Sequence, residues 1–379
     1  MSTESYRAAR VVAPKVQAYF ARHVAAARAQ GVVAPAPVPD ASVLERVIDA
    51  TFWASLRREE GYVPKISLAY LPPHQAIHPL LFEHPLRLTP AALTKVAPVV
   101  ERPGIHLGLW HDGDALCVWG TTHEIPLLSF VLEVVEPGLL VIKHHRGERA
   151  GKYVNVAVLE GDQIKMVDES ASGLPDCPSL LKSLLGFDSP YAWAGSINLL
   201  VQLAVSMRGH GRGGALLIVP RETEQWRESI ATPIAYAVSP PYRGLAELTR
   251  LIREDTQGDG WQEELRQAVD AVAGLTAVDG ATVMTDTYEL LAFGAKITRR
   301  KGSPMVEHVA VTEPIEGGEP TVVASTEFGG TRHGSAAQFI HDQRDAVALV
   351  ASQDRRFTVF AWSPCEQMVH AHRVDTLLL

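Results

Sequence analysis

Gly211-Arg-Gly-Gly-Ala-Leu-Leu-Ile-Val-Pro220 carries an unbroken apolar run at 215–219, bounded by glycines on one side and a proline on the other. A short continuous apolar run between such turn signals reads as a buried strand. Around it the pattern alternates between helix and strand. A helical segment is expected at about 190–207, and two more near 243–255 and 260–273. Strands are expected at 281–285, 288–295, 306–311 and 320–325, then a helix from Arg332, then strands at 346–351 and 357–362. This order specifies an α/β domain over 190–379, a mixed sheet flanked by helices.

Upstream, residues 169–189 are rich in Ser, Pro and Gly and read as a boundary. Before them lie β-favouring runs at 105–109, 116–119, 129–135, 139–144, 153–159 and 163–167. The turn signals His111-Asp-Gly113, Glu136-Pro-Gly138 and Glu160-Gly-Asp162 separate them. Short strands joined by tight turns predict an antiparallel meander. Residues 64–90 are proline-rich and read as irregular. Helices are expected over 4–30, where Pro14 falls near the first turns, and over about 41–60. The stiff segment Ala34-Pro-Ala-Pro-Val-Pro39 joins them. An α+β domain over 1–180 therefore precedes the α/β domain.

The 379 residues suffice for two domains, and 46% hydrophobic with 21% charged residues is ordinary for a soluble globular chain. A net charge of −8 argues against a nucleic-acid-binding surface but leaves room for a local basic pocket. Cys117, Cys177 and Cys365 form no CxxC pair, which argues against a disulfide framework or a Cys-rich zinc site. The N-terminus lacks the apolar core of a secretory signal, and no run of 18 apolar residues occurs. A cytoplasmic protein with no membrane partner is expected. Gly147-Glu-Arg-Ala-Gly-Lys152 is one residue short of a P-loop and has Tyr153 where Ser or Thr is needed, so it reads as a hairpin turn. His106, His111, His123, His144 and His145 show no metal-ligand spacing.

Three segments carry candidate chemistry. In Val278-Asp279-Gly280-Ala281 a carboxylate sits at the mouth of a strand, and the glycine lets backbone approach a ligand. In Thr326-Glu-Phe-Gly-Gly-Thr-Arg-His-Gly-Ser-Ala-Ala337 the glycines precede a helix start. Gly330 frees backbone N–H groups for an anion, while Thr331, Arg332, His333 and Ser335 add donors suited to a polyphosphate. Ser352-Gln-Asp-Arg-Arg356 is a turn whose Arg355 and Arg356 could reach phosphates. Each also has a bland reading, as an Asp-Gly turn, a helix cap and a solvated hairpin respectively.

Taken together, Gly-Gly-Ala-Leu-Leu-Ile-Val, Asp-Gly-Ala, Gly-Thr-Arg-His-x-Ser-Ala and Ser-Gln-x-Arg-Arg occur in the order found in diadenylate cyclase domains. The resemblance is to the version in DNA-integrity scanning proteins and covers about 180 residues. The whole chain resembles bacterial proteins that place a sensor domain of the kind called DACNV before the cyclase domain. The resemblance implies condensation of two ATP into cyclic di-AMP and two pyrophosphates with Mg²⁺ or Mn²⁺, in a homodimer or higher homo-oligomer whose sites face each other. It implies that Asp279 assists the 3′-hydroxyl and binds the metal, with His333 as a second metal ligand. It also implies that Thr331, Arg332, His333 and Ser335 grip the triphosphate. Gly280, Ala281, Gly330, Arg355 and Arg356 would complete the nucleotide site, and the N-terminal domain would answer to a ligand of its own. One position departs: Gly334 stands where the family carries a second arginine. The alternative that this leaves open is a cyclase-like domain that senses a nucleotide without turnover.

Overall fold

Glycine turns organise the first half of the chain. The computed structural model describes residues 5–32, 35–59, 61–145, 153–168, 199–253, 260–354 and 356–379. In it β3 (His106–Asp112) and β4 (Ala115–Thr122), β5 (Phe130–Glu136) and β6 (Leu139–His145), and β7 (Tyr153–Glu160) and β8 (Gln163–Met166) form hairpins with two-residue tips. Gly113, Gly138 and Gly161 take φ of 58°, 75° and 53° at those tips, where an L side chain would be strained. The turn signals are thus where the sequence places them.

The meander is only part of the sheet. Residues expected to be irregular form β1 (Ser67–Tyr70) and β2 (Leu80–Arg87). The strand order is β2-β4-β3-β1-β5-β6-β7-β8, with β1 parallel to β3 and antiparallel to β5. The sheet is therefore mixed, and the all-antiparallel expectation is corrected. Prolines hid both strands. β2 tolerates Pro85 because it is an edge strand, paired among the described residues only with β4. One face of the sheet is covered by α1 (Arg7–Ala29), α2 (Ala41–Ser55) and α3 (Pro90–Val96). Helix α1 runs through Pro14, and its apolar face (Val12, Val16, Tyr19, Phe20) is buried. That burial offsets the missing backbone bond. Asp40 caps α2 by accepting from the Val43 N–H at 2.9 Å.

The second half is an α/β unit. Its nine-stranded sheet runs β10-β12-β11-β9-β15-β16-β17-β13-β14 among the described residues. These strands are β9 (Gly214–Val219), β10 (Tyr236–Tyr242), β11 (Ala281–Thr285), β12 (Leu290–Ala295), β13 (His308–Thr312), β14 (Thr321–Ala324), β15 (Val347–Ala351), β16 (Phe357–Ser363) and β17 (Met368–Arg373). Every residue of β9 is buried because both faces of the sheet are covered. Leu216 and Ile218 pack with α4 (Leu199–Gly209), α5 (Gly244–Arg253) and α6 (Trp261–Leu275). Ala215, Leu217 and Val219 pack with α7 (Thr331–Asp342). A short α8 (Asp375–Leu378) closes the chain. Strands β10 and β17 were not expected from sequence.

The chain divides into two compact units, residues 1–167 with Leu379, and residues 168–378. The expected boundary at 169–189 lies outside the described residues, as do the loop 147–152 and Cys177. Among the described residues no helix is long and apolar enough to cross a membrane.

Candidate functional site

Strand register gathers the candidate residues of the second unit. β9 and β11 are parallel with Ala215 opposite Ala281, so the segments ending at Gly213 and Gly280 lie side by side. β15 is antiparallel to β9 with Ala351 opposite Gly214, which brings the turn after β15 to the same end of the sheet. Gly213 has φ +71, and a Cβ there would stand 3.1 Å from the Arg332 guanidinium and 3.4 Å from Cγ of Gln353. Arg332, Gly213 and the Ser352–Asp354 turn are therefore neighbours.

Asp279 sits at the entrance to β11. Gly280 has φ +109, and a Cβ on it would come within 2.5 Å of the Gly294 carbonyl carbon. Gly294 has φ +62 where the β11–β12 register shifts. Such a bulge re-aims side chains. Here it sets Lys296, just past β12, against Asp279, and the two side chains form a hydrogen-bonded ion pair. The Lys296 hydrogen bond and charge, helped by Arg332, hold the Asp279 carboxyl below the usual carboxylate range. Ala281 is buried in the core, so it contributes backbone only.

Helix periodicity divides the segment 329–335 between two surroundings. His333 packs its ring against Phe328 and Phe360, and its Nε2 is 3.5 Å from the hydroxyls of Ser352 and Thr358. Burial holds the imidazole below its ordinary range; Asp354 opposes this, and Arg373 and Arg356 add to it. Gly330, Thr331, Gly334 and Ser335 instead line a groove of about 420 Å³, together with residues 297–299 and Ser325. Gly334 has open space where a side chain would stand. Arg356 pairs with Asp354 at 3.4 Å, and Arg355 lies outside the described residues.

The charges at this end do not balance. Lys296, Arg332, Arg356 and Arg373 stand here with Asp279, Asp354 and Asp375, whose carboxylate accepts from the Phe357 N–H, in a chain of net charge −8. A local cationic excess beside exposed backbone at a helix start suits an anion. Among the described residues no three His, Cys, Asp or Glu side chains gather to hold a metal. The exposed Asp279 carboxylate fits a divalent ion that keeps water and phosphate oxygens as its other ligands. It does not fit a caged resident metal, and His333 Nε2 faces hydroxyls. Lys296, Arg373 and Gly294 escaped the sequence reading, although a lone glycine in a strand pattern is a bulge signal.

The first unit has a buried polar chain of its own. Ser67 Oγ lies 2.7 Å from His106 Nδ1, and His106 Nε2 lies 2.6 Å from the Tyr153 hydroxyl. Glu133 accepts from Lys143 at 2.6 Å and from Ser67 at 3.4 Å. His106 is fully buried, which pushes its pKa down to about 4, and burial raises the Tyr153 phenol.

The span holding α2, α3 and β1 to β4 corresponds to a known family. Residues 34–123 match the model described as "Probable sensor domain DACNV". The DACNV match takes in Ser67 and His106 and stops before Glu133, Lys143 and Tyr153. No curated protein matches the chain. Eleven solved chains do. One is a hypothetical membrane spanning protein from Bacillus cereus, 13% identical with a TM-score of 0.28, the match covering 51% of this chain and 70% of that one. A likeness that distant says nothing of the DACNV-containing chain's activity.

Proposed function

We propose that the second unit is a diadenylate cyclase, condensing two ATP into cyclic di-AMP and two pyrophosphates, and that the DACNV-containing unit regulates it. The observation that carries this reading is the cationic excess around Asp279 and Arg332 at one end of the sheet. Phosphoryl-type transfer needs alignment and charge neutralisation more than covalent help. The 3′-hydroxyl of one ATP attacks the α-phosphate of the ATP on a second copy of the chain, and the bond to pyrophosphate breaks. Asp279 orients that hydroxyl and takes its proton. Arg332 and the α7 N-terminus balance phosphate charge, and Thr331 and Ser335 donate hydroxyl hydrogen bonds from the groove. Bound Mg²⁺ or Mn²⁺, with Asp279 as its protein ligand, would supply further neutralisation at the phosphates.

Incubating the purified protein with ATP and Mn²⁺ and weighing the nucleotide products tests this directly; cyclic di-AMP is expected. Gly334 favours a second reading, a nucleotide sensor without turnover, because it removes one cation from the helix start. ATP binding with no cyclic product, at any protein concentration, selects that reading.

A further inference from the structure

Lys296 lies outside every motif, yet it makes the one side-chain hydrogen bond that Asp279 has among the described residues. The contact is built into the backbone. Gly280 and Gly294 touch main chain to main chain, and their positive φ values fix the entrance to β11 and the exit of β12, on which the two side chains ride. Both ends of the pair face solvent, Lys296 at 60% and Asp279 at 84% side-chain exposure. Exposed pairs are weak and easily exchanged. A lysine ammonium on its flexible stem can move to another acceptor, which a fixed guanidinium fork does less readily. An ammonium and a divalent ion also compete for the same carboxylate oxygens.

Building on the cyclase reading, we propose that Lys296 is a positioning and selectivity residue. It covers the Asp279 carboxylate until a nucleotide arrives, then passes to a phosphate oxygen. The site thereby takes a divalent cation together with a nucleotide and discriminates against the cation alone. Lys296 forms and breaks no covalent bond in this exchange, and its proton stays with it.

The test uses the full chain and two binding measurements that do not involve turnover. MnCl₂ alone is titrated against the wild type, Lys296→Gln, Lys296→Arg and Asp279→Asn, reading free Mn²⁺ by electron paramagnetic resonance. ATP is titrated in EDTA by calorimetry. Lys296→Gln is expected to bind Mn²⁺ about two- to fivefold more tightly and ATP about tenfold more weakly. Lys296→Arg should match the wild type toward Mn²⁺ alone and bind ATP more weakly than it, and Asp279→Asn should lose Mn²⁺ while keeping ATP. A shift in only one of the two Lys296→Gln measurements overturns the exchange. No shift in either, with Asp279→Asn still losing Mn²⁺, overturns the role of Lys296 and leaves the cyclase reading standing. If Asp279→Asn binds Mn²⁺ like the wild type, the metal role of Asp279 and the inference on Lys296 fall together.

Discussion

Arg332 and Arg356 are both arginines at one end of one sheet, but their surroundings differ. Arg332 lies against the Gly213 backbone and near Asp279, whereas Arg356 shares its charge with Asp354 and is 65% exposed. Arg332→Ala should therefore lower kcat/KM by about 10- to 150-fold, the worth of one charge-assisted contact. Arg356→Ala should cost less than about tenfold. Steady-state kinetics that reverse this order would remove Arg332 from the phosphate site. At Gly334 two effects oppose each other. An arginine gains about 0.8 kcal/mol of helix propensity over glycine and loses about 0.3–1 kcal/mol as a cation in the first turn. With nothing within 4 Å of a Cβ at this position, Gly334→Arg should leave the melting temperature nearly unchanged. It should also raise cyclic product about tenfold; unchanged product would show that the missing arginine does not limit the reaction. Asp279, Arg332 and His333 were legible in sequence because Gly-rich turns beside them carry a local signal. Lys296 was not, because its pairing depends on a register shift between strands that no local pattern encodes.

At the scale of elements, hairpins with glycine tips were readable and proline-bearing strands were not. β1 has four residues and β2 contains Pro85, so periodicity had nothing long enough to register. β1 matters all the same, since Ser67 on it and His106 on β3 open the buried polar chain. His106 titrates at about 4 in the folded protein against an ordinary 6.5. At pH 7 it is neutral in both states and its setting is undisturbed. As pH falls from 6.5 toward 4, the unfolded chain takes up a proton that the folded chain refuses, so stability declines by about 3 kcal/mol. Urea unfolding at pH 7.0 and pH 4.5 should show that decline in the wild type, and a smaller one in His106→Gln. Equal declines would mean that other groups carry the acid sensitivity.

For the whole molecule, the apolar clusters respect the division into two units: one core draws only on residues 6–166, and two others only on residues 199–378. A fragment of residues 168–379 should accordingly unfold in a single cooperative transition by circular dichroism and bind ATP. A fragment without a cooperative melt would mean that the units share stability. Because each proposed reaction joins nucleotides held by two copies, specific activity should rise with protein concentration wherever association is weak. Activity that stays constant per molecule down to a demonstrated monomer would contradict this. The position of β9 has a consequence for synthesis. It is an interior strand of the sheet, yet its parallel neighbour β11 begins at residue 281 and its antiparallel neighbour β15 at residue 347. On the ribosome β9 emerges long before either partner, with a wholly apolar strand and nothing to pair it. The second unit cannot close until its last quarter has been translated, so chains stopped short of β15 should be substrates for chaperones and proteases instead of shorter folded domains.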